Sequence, residues 1–150
     1  MGLSVGSKAP IFKTIDQHGV EQTLESYLGK KVVLYFYPKD NTPGCTAQSC
    51  NLRDNFELLT THNYVVLGVS ADSQKKHQNF ADKYQFPFPL LVDTELEIIN
   101  KYEVWKEKSM FGKKYMGIAR TTFLIDEKGI IEEIISKVDT ENHIEQIVKK

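Results

Sequence analysis

The chain alternates between the two-residue hydrophobic period of a β-strand and the wider spacing of a helix. Three runs of strand length are rich in β-branched and aromatic residues and are apolar on both faces, which is typical of buried central strands. These runs cover residues 32–38, 64–70 and 121–126. Before them, residues 11–15 and 20–24 flank a short polar segment that ends at Gly19, a residue type that tolerates the positive φ of hairpin turns. The pattern therefore also predicts a β-hairpin near the start of the chain.

Segments with the hydrophobic spacing of helices lie between these strands and after the last of them. Leu52, Phe56 and Leu59 follow the i, i+4, i+7 spacing of one helix with a single buried stripe. Further helices are predicted over residues 73–84, with Ser73 as the cap and Ser70 or Asp72 as alternative starts, and over residues 94–102 and 139–149. A turn at residues 126–129 leads into another extended segment, residues 130–136. Strands separated by helices predict an α/β fold, a central sheet with helices on both faces.

Composition and charge narrow the class of protein. The 150 residues are 41% hydrophobic and contain no repeat or low-complexity linker, so residues 1–150 are expected to form a single domain. The 19 basic and 20 acidic residues leave a net charge of −1, so affinity for a polyanion would require a local patch. The longest apolar run, residues 32–37, is far below the roughly 20 residues that span a bilayer. With no signal-like segment at the start, a cytoplasmic protein without membrane or nucleic-acid partners is expected.

The segment YFYPKDNTPGCTAQSC, residues 35–50, carries the candidate chemistry. A buried strand is predicted to end at Pro38. Thr42 is a good helix N-cap and Pro43 suits the first helical position, because proline lacks the N–H that would be unpaired there. Cys45 then falls in the first helical turn, where free backbone N–H groups and the helix dipole favour a thiolate.

Acidity alone does not make such a thiolate a fast nucleophile. A less basic thiolate is also less nucleophilic, so much of the gain in ionised fraction is lost. A catalytic site at Cys45 therefore also needs fixed donors that align the attacked group, and a cation that stabilises the leaving oxygen.

Cys50 is the second cysteine of the chain. Five residues of helix place it about 140° round from Cys45, with Cα atoms roughly 8 to 9 Å apart. A disulfide requires about 7 Å or less, so the two cysteines can bond only if this turn unwinds. Breaking a few helical hydrogen bonds costs about 2 to 5 kcal/mol, which a favourable oxidation can offset. The expected cycle alternates between a reduced, folded helix and an oxidised, locally unwound one.

These residues match a known family. Pro38, Thr42 and Cys45 fit the Pro-x3-Thr-x2-Cys signature of peroxiredoxins, and the longer motif with Cys50 resembles the peroxiredoxin Q subfamily, also called bacterioferritin comigratory protein. The resemblance extends through GKKVVLYFYPKD before the site and GKKYMGIARTTFLID after it. It covers nearly the whole chain.

The resemblance implies a thioredoxin-like fold and a cofactor-free, metal-free enzyme that reduces hydrogen peroxide and organic hydroperoxides. Its implied site residues are Cys45 as the peroxidatic nucleophile, Thr42 as a hydrogen-bond partner of the peroxide, Pro38 as a shield against water, Arg120 as the cation, and Cys50 as the resolving cysteine. The resulting intramolecular disulfide would be reduced by thioredoxin or a similar dithiol, in a protein that is expected to be a monomer. One departure is Gln48, where many relatives have a glutamate whose role in proton transfer or thioredoxin docking is then absent.

Other polar motifs have simpler interpretations. The four histidines, His18, His62, His77 and His143, lack metal-ligand spacing and are expected on the surface, so no zinc site with the cysteines is predicted. Aromatic residues Trp105, Phe111 and Tyr115 lie among lysines 106, 108, 113 and 114 and are interpreted as a solvated loop that packs its aromatic rings near the site.

Two alternative functions remain open. In a redox sensor or holdase, a bond between Cys45 and Cys50 would switch a binding surface and turnover would be incidental. A thioredoxin-like disulfide reductase is less favoured, because such enzymes use a C-x-x-C motif and this chain has C-x4-C.

Overall fold

The computed structural model describes residues 2–148. Its strands are β1 (Lys13–Ile15), β2 (Glu21–Thr23), β3 (Lys31–Phe36), β4 (Tyr64–Ser70), β5 (Leu90–Val92), β6 (Trp105–Met110), β7 (Lys113–Ile118), β8 (Thr121–Ile125) and β9 (Ile131–Ile135). Its α-helices are α1 (Pro43–Asp54), α2 (Phe56–Thr61), α3 (Gln74–Tyr84), α4 (Glu97–Lys101) and α5 (His143–Ile147), and a short 3-10 helix covers Glu25–Tyr27.

Five strands form the central sheet in the order β5-β4-β3-β8-β9. Strand β3 is parallel to β4 and antiparallel to β8, so the sheet is mixed. Alternate residues of β3 enter opposite core layers: Val33 and Tyr35 pack with residues of α1, α2 and α3, and Leu34 and Phe36 pack with residues of α4. The predicted α/β sheet with helices on both faces is confirmed, as are its three buried strands.

Aspartates organise the two predicted turns. The Asp16 carboxylate accepts hydrogen bonds from the backbone N–H groups of His18 and Val20, and this turn joins β1 to β2 in the predicted hairpin. Asp126 accepts in the same way from Lys128 and Ile130 before β9. A short side chain that binds the backbone two residues on is the usual device of such turns.

The predicted helix across Leu52, Phe56 and Leu59 is wrong in one respect. It is interrupted at Asn55, so α1 and α2 are separate helices. The Asn55 side chain donates to the Asn51 carbonyl oxygen at 2.8 Å and competes with the helical backbone at this point. The apolar stripe continues across the break because both helices pack on the same core layer.

Two other helices are shorter than predicted. Helix α4 begins only at Glu97, because the Asp93 carboxylate binds the backbone N–H groups of Ile98 and Ile99 and the chain turns before it. Helix α5 begins at His143, because Asp139 instead holds a turn through the backbone N–H groups of residues 141 and 142. The predicted end of that helix, residue 149, lies outside the described residues. Ser73 does cap α3 and accepts from the Lys76 N–H.

The predicted basic loop is a second hairpin, made of β6 and β7. Its base is anchored by the partly buried Trp105 and the buried Ile118, which pack on the core. Its tip is not packed: Phe111 is 97% exposed. The expectation that this segment packs its aromatic rings is therefore wrong for Phe111. Among the described residues, no helix has the length and apolar character needed to cross a membrane.

The histidines divide into two pairs. His18 and His62 are exposed as predicted, whereas His77 and His143 are fully buried. His143 lies between the Thr122 hydroxyl and the Gln146 side-chain oxygen, both at 2.8 Å, and thus joins α5 to β8. Burial lowers the pKa of His143, so the neutral ring is favoured and the Thr122 hydroxyl donates to it.

Candidate active site

The sheet topology brings together two segments that are distant in sequence. Strand β3 runs into the loop before α1, and β8 starts beside the end of β3 because Phe36 pairs with Thr121. Arg120, immediately before β8, therefore lies at the same sheet edge as the first turn of α1. Cys45 and Arg120 meet there although they are 75 residues apart.

The Arg120 guanidinium makes two contacts with α1. Its Nη2 donates to Cys45 Sγ at 3.3 Å, and its Nη1 donates to Gln48 Oε1 at 2.8 Å. Gly44 permits this approach, since a Cβ at that position would lie 3.2 Å from Arg120 Nη2. The Cys45 side chain is almost completely buried, so the contact with the cation is little screened by water.

Gln48 changes the charge of this arrangement. Its side chain is fully buried, and its Nε2 has no hydrogen-bond partner among the described residues. A glutamate here would pair its negative charge with Arg120 and compete with the sulfur for the guanidinium. With a neutral amide, the positive charge of Arg120 remains available to Cys45.

The start of α1 follows the prediction with one difference. Thr42 is the N-cap residue and Pro43 is the first helical residue. However, the Thr42 Oγ1 donates to the Lys39 carbonyl oxygen at 2.8 Å instead of accepting from a helical N–H. The hydroxyl proton is thereby engaged, and the oxygen lone pairs can accept a hydrogen bond from a ligand. Pro38 follows β3 and is half-buried.

Cys50 lies on the same intact helix as Cys45, and both thiols are free. Its side chain is half-buried, and this burial raises the pKa of the Cys50 thiol, although nearby Arg53 acts in the opposite direction. The protonated thiol is a poor nucleophile. Both cysteines lie within one unbroken helix, and local unwinding before they bond stays a prediction.

Comparison with known proteins identifies the family. Residues 5–134 match the model of the AhpC/TSA family. Peroxiredoxin Bcp of Bacillus subtilis is 45% identical over 149 residues, which cover 99% of this chain and 95% of that protein. The chain belongs to the peroxiredoxins. Peroxiredoxin Bcp of Escherichia coli is 44% identical over 141 residues, or 94% of this chain and 90% of that protein.

Solved structures give the same family and the thioredoxin-like fold. A cysteine-to-serine mutant of Xylella fastidiosa PrxQ has a TM-score of 0.92 and 33% identity, and covers 98% of this peroxiredoxin and 94% of that chain. The bacterioferritin comigratory protein of Xanthomonas campestris, studied for alkyl peroxide reduction, has a TM-score of 0.85 and 35% identity over 91% and 87% of the two chains. This protein is accordingly a peroxidase that uses a hydroperoxide substrate and a thiol reductant.

Lys108 of β6 is a second cation within electrostatic range of Arg120 and Cys45. Lys108 is half-buried. Burial lowers the pKa of Lys108, the repulsion of Arg120 lowers it further, and Cys45 acts in the opposite direction. The sequence showed Lys108 only as one of several lysines. Its proximity to the site depends on the pairing of β6 with β7, which the hydrophobic pattern did not reveal.

A buried network anchors the loop of the peroxiredoxin that connects β3 to α1. The Asp40 carboxylate accepts from the Tyr37 hydroxyl at 2.5 Å and lies 2.6 Å from His77 Nδ1. The opposite ring nitrogen, His77 Nε2, lies 2.8 Å from the Leu91 carbonyl oxygen and must carry a hydrogen. Asp40 sits between Pro38 and Thr42, so this network holds the loop that carries both motif residues.

A second buried carboxylate completes the network. Asp72 accepts from the Asp40 backbone N–H at 2.8 Å and from the Ser70 hydroxyl at 2.7 Å. The side chains of Asp40, Asp72 and His77 each place one atom that could bind a metal ion within 4.8 Å of the others. The hydrogen bonds among these groups explain why they lie close together. The expected surface position of His77 is wrong, and the i, i+3 spacing of His77 to the buried Phe80 could have placed it on the inner face of α3.

Proposed function

We propose that this protein is an atypical two-cysteine peroxiredoxin in which Cys45 attacks the hydroperoxide and Cys50 resolves the product. The observation that carries the proposal is the 3.3 Å contact between Arg120 Nη2 and Cys45 Sγ at the first turn of α1. The buried sulfur faces both a helix N-terminus and a guanidinium, whose positive charge stabilises the negative charge that a nucleophilic sulfur carries.

In the first step the Cys45 thiolate attacks the terminal oxygen of the hydroperoxide. The O–O bond breaks, an S–O bond forms, and the other oxygen leaves as an alcohol or water after it takes up a proton. Arg120 stabilises the negative charge that develops on the oxygens, and Thr42 Oγ1 accepts a hydrogen bond from the peroxide. Pro38 limits access of water to the sulfur.

In the second step the Cys50 sulfur attacks the sulfenic acid of Cys45 and releases water. A disulfide forms within the chain, which requires part of α1 to unwind. The raised pKa of Cys50 supports this order of events, because a protonated thiol does not compete with Cys45 for peroxide. Thioredoxin or a similar dithiol then reduces the disulfide, and its own two thiols become oxidised.

The proposed substrates are hydrogen peroxide and organic hydroperoxides, and the alkyl peroxide reduction of the Xanthomonas campestris relative supports the second class. The proposed functional unit is a monomer, because Cys45 and Cys50 lie on one helix and their pairing requires no second chain. An assay of peroxide-dependent NADPH consumption with thioredoxin and its reductase tests the function. Turnover no faster than that of a free thiol would instead favour a redox sensor. Reduction of insulin disulfides in the absence of peroxide would favour a disulfide reductase.

For Cys50→Ser, we expect one equivalent of peroxide to be consumed and turnover with thioredoxin then to stop. The variant retains Cys45 and Arg120, so the first step proceeds, but the sulfenic acid has no thiol partner within the chain. Mass spectrometry after one equivalent of peroxide is expected to show the addition of one oxygen to Cys45. Sustained cycling of this variant with thioredoxin would remove Cys50 from the resolving role.

For Arg120→Ala, we expect the rate constant for oxidation of Cys45 by hydrogen peroxide to fall about 100-fold. The variant loses the donor at 3.3 Å from the sulfur and the charge that stabilises the leaving oxygen. Stopped-flow measurement of Cys45 oxidation is the test. Arg53→Ala, a change to the half-buried arginine of α1 that pairs with Asp54 and donates to the Tyr84 carbonyl oxygen, is the matched control and should retain the rate of the first step. An unchanged rate constant in Arg120→Ala would exclude Arg120 as the cation.

A further inference from the structure

The hairpin of residues 105–118, which we call the β6–β7 hairpin, combines an anchored base with an apolar tip. At the base, the Ala119 N–H donates to the Val104 carbonyl oxygen at 2.7 Å, and Ile118 is buried. Toward the tip, Met110 is 56% exposed, Phe111 97% and Met116 50%. Packing on the core explains the apolar residues at the base of this hairpin, but it does not explain the exposed apolar residues at its tip.

Phe111 is also unfavourable for the turn itself. The strands are joined by Phe111 and Gly112, with φ of 53° and 78°, so both central residues have the positive φ of a type I′ hairpin turn. Asparagine, aspartate or glycine is favoured at the first of these positions, whereas a bulky side chain is strained there. Since Phe111 gains no burial in return, its presence points to a role in binding.

The charge of this hairpin differs from that of the rest of the chain. Four lysines and one glutamate give residues 105–118 a net charge of +3, in a chain whose total is −1. In the strand register, Lys108 pairs with Tyr115 and Met110 pairs with Lys113, so these cations and apolar groups share one face. The hairpin adjoins the candidate active site, because β7 ends at Ile118 and Arg120 follows two residues later.

We infer that the β6–β7 hairpin docks on an anionic lipid surface and brings Cys45 to hydroperoxides carried by those lipids. Apolar and aromatic side chains flanked by lysines are the pattern of interfacial anchors. The exposed apolar side chains stand at a hairpin tip, and a lipid surface accepts such a protruding group without a matching pocket. The local patch supplies the attraction that the net charge of the whole chain does not. The substrate part of this inference rests on the proposed peroxidase chemistry.

The test measures co-sedimentation of the reduced protein with vesicles of phosphatidylglycerol and phosphatidylcholine in equal parts, and with vesicles of phosphatidylcholine alone. We expect binding to the anionic vesicles only, and its loss at high salt. Phe111→Asn should weaken binding by at least about tenfold and, because asparagine suits this turn, should leave the fold intact. Lys113→Gln, at an exposed lysine of the same face as Lys108 and Met110, should weaken it about fivefold. Leu58→Asn, at an exposed leucine of α2, is the matched control and should bind normally.

The outcomes separate this inference from the proposed function. The proposal of lipid docking would be overturned if the wild type did not bind anionic vesicles at low salt. It would also be overturned if Phe111→Asn bound these vesicles as well as the wild type does. A rise in KM for the dithiol reductant in Phe111→Asn, without any vesicle binding by the wild type, would overturn it in favour of a protein-docking surface. Phe111→Asn should reduce hydrogen peroxide at the wild-type rate. Failure of the wild type to reduce hydrogen peroxide would instead overturn the proposed function and leave the vesicle result standing.

Discussion

Replacement of Cys45 by serine is expected to abolish hydroperoxide reduction, with a loss of at least about a thousandfold, while the fold is retained. The side chain is nearly the same size, and a serine hydroxyl can still accept the hydrogen bond from Arg120 Nη2 that the sulfur accepts at 3.3 Å. The hydroxyl, however, remains protonated near neutral pH and is a weak nucleophile without a base beside it. Peroxide consumption with thioredoxin and its reductase measures the loss, and circular dichroism checks the fold.

The matched control for this change is Cys50→Ser, which also removes one thiol from α1. That variant should consume one equivalent of peroxide, whereas Cys45→Ser should consume none. A first turnover by Cys45→Ser at more than about one hundredth of the wild-type rate would contradict the assignment of Cys45 as the nucleophile. Loss of the circular dichroism signal would show a folding defect, and Cys45→Ala would then be tested in the same way.

Most of the site could be predicted from the sequence because its motif residues are close together. Pro38 lies two residues after the end of β3, Thr42 is the cap and Cys45 lies in the first helical turn, and each of these positions has a local sequence signal. Arg120 had no such signal. Its approach to Cys45 depends on the pairing of β3 with β8, so only the family resemblance indicated it.

The central sheet could likewise be predicted, because its strands are apolar on both faces. Strands β6 and β7 were missed because nearly all their side chains are partly or fully exposed and no period of two in hydrophobicity marks them. Their turn also uses Phe111-Gly112, where an Asn-Gly pair would have indicated a hairpin.

Helix ends were the other weak point, and the reason is local side-chain hydrogen bonding. Asn55, Asp93 and Asp139 each bind backbone groups that a longer helix would have used. The spacing of apolar residues does not register this competition. It therefore predicted α4 and α5 too long and joined α1 to α2.

Replacement of His77 by alanine is expected to lower the free energy of unfolding by about 3 to 5 kcal/mol. The change leaves the Asp40 carboxylate and the Leu91 carbonyl oxygen buried without the partners that now lie at 2.6 and 2.8 Å. For a domain of this size, the corresponding fall in Tm is about 10 °C. Urea unfolding followed by circular dichroism measures the effect, and His18→Ala, at an exposed histidine, is the control and should change stability by less than about 0.5 kcal/mol.

Two conservative variants separate the contacts of the ring. In His77→Asn the amide nitrogen can occupy the place of Nδ1 and donate to Asp40, whereas in His77→Gln it can occupy the place of Nε2 and donate to Leu91. Because an unpaired buried charge costs more than an unpaired carbonyl oxygen, we expect His77→Asn to recover more stability than His77→Gln. Equal stability of His77→Ala and the wild type, with the same dependence on urea, would show that the network does not anchor the loop. Since Asp40 lies two residues after Pro38 and two before Thr42, its release should also slow oxidation of Cys45, and His77→Asn should restore part of that rate.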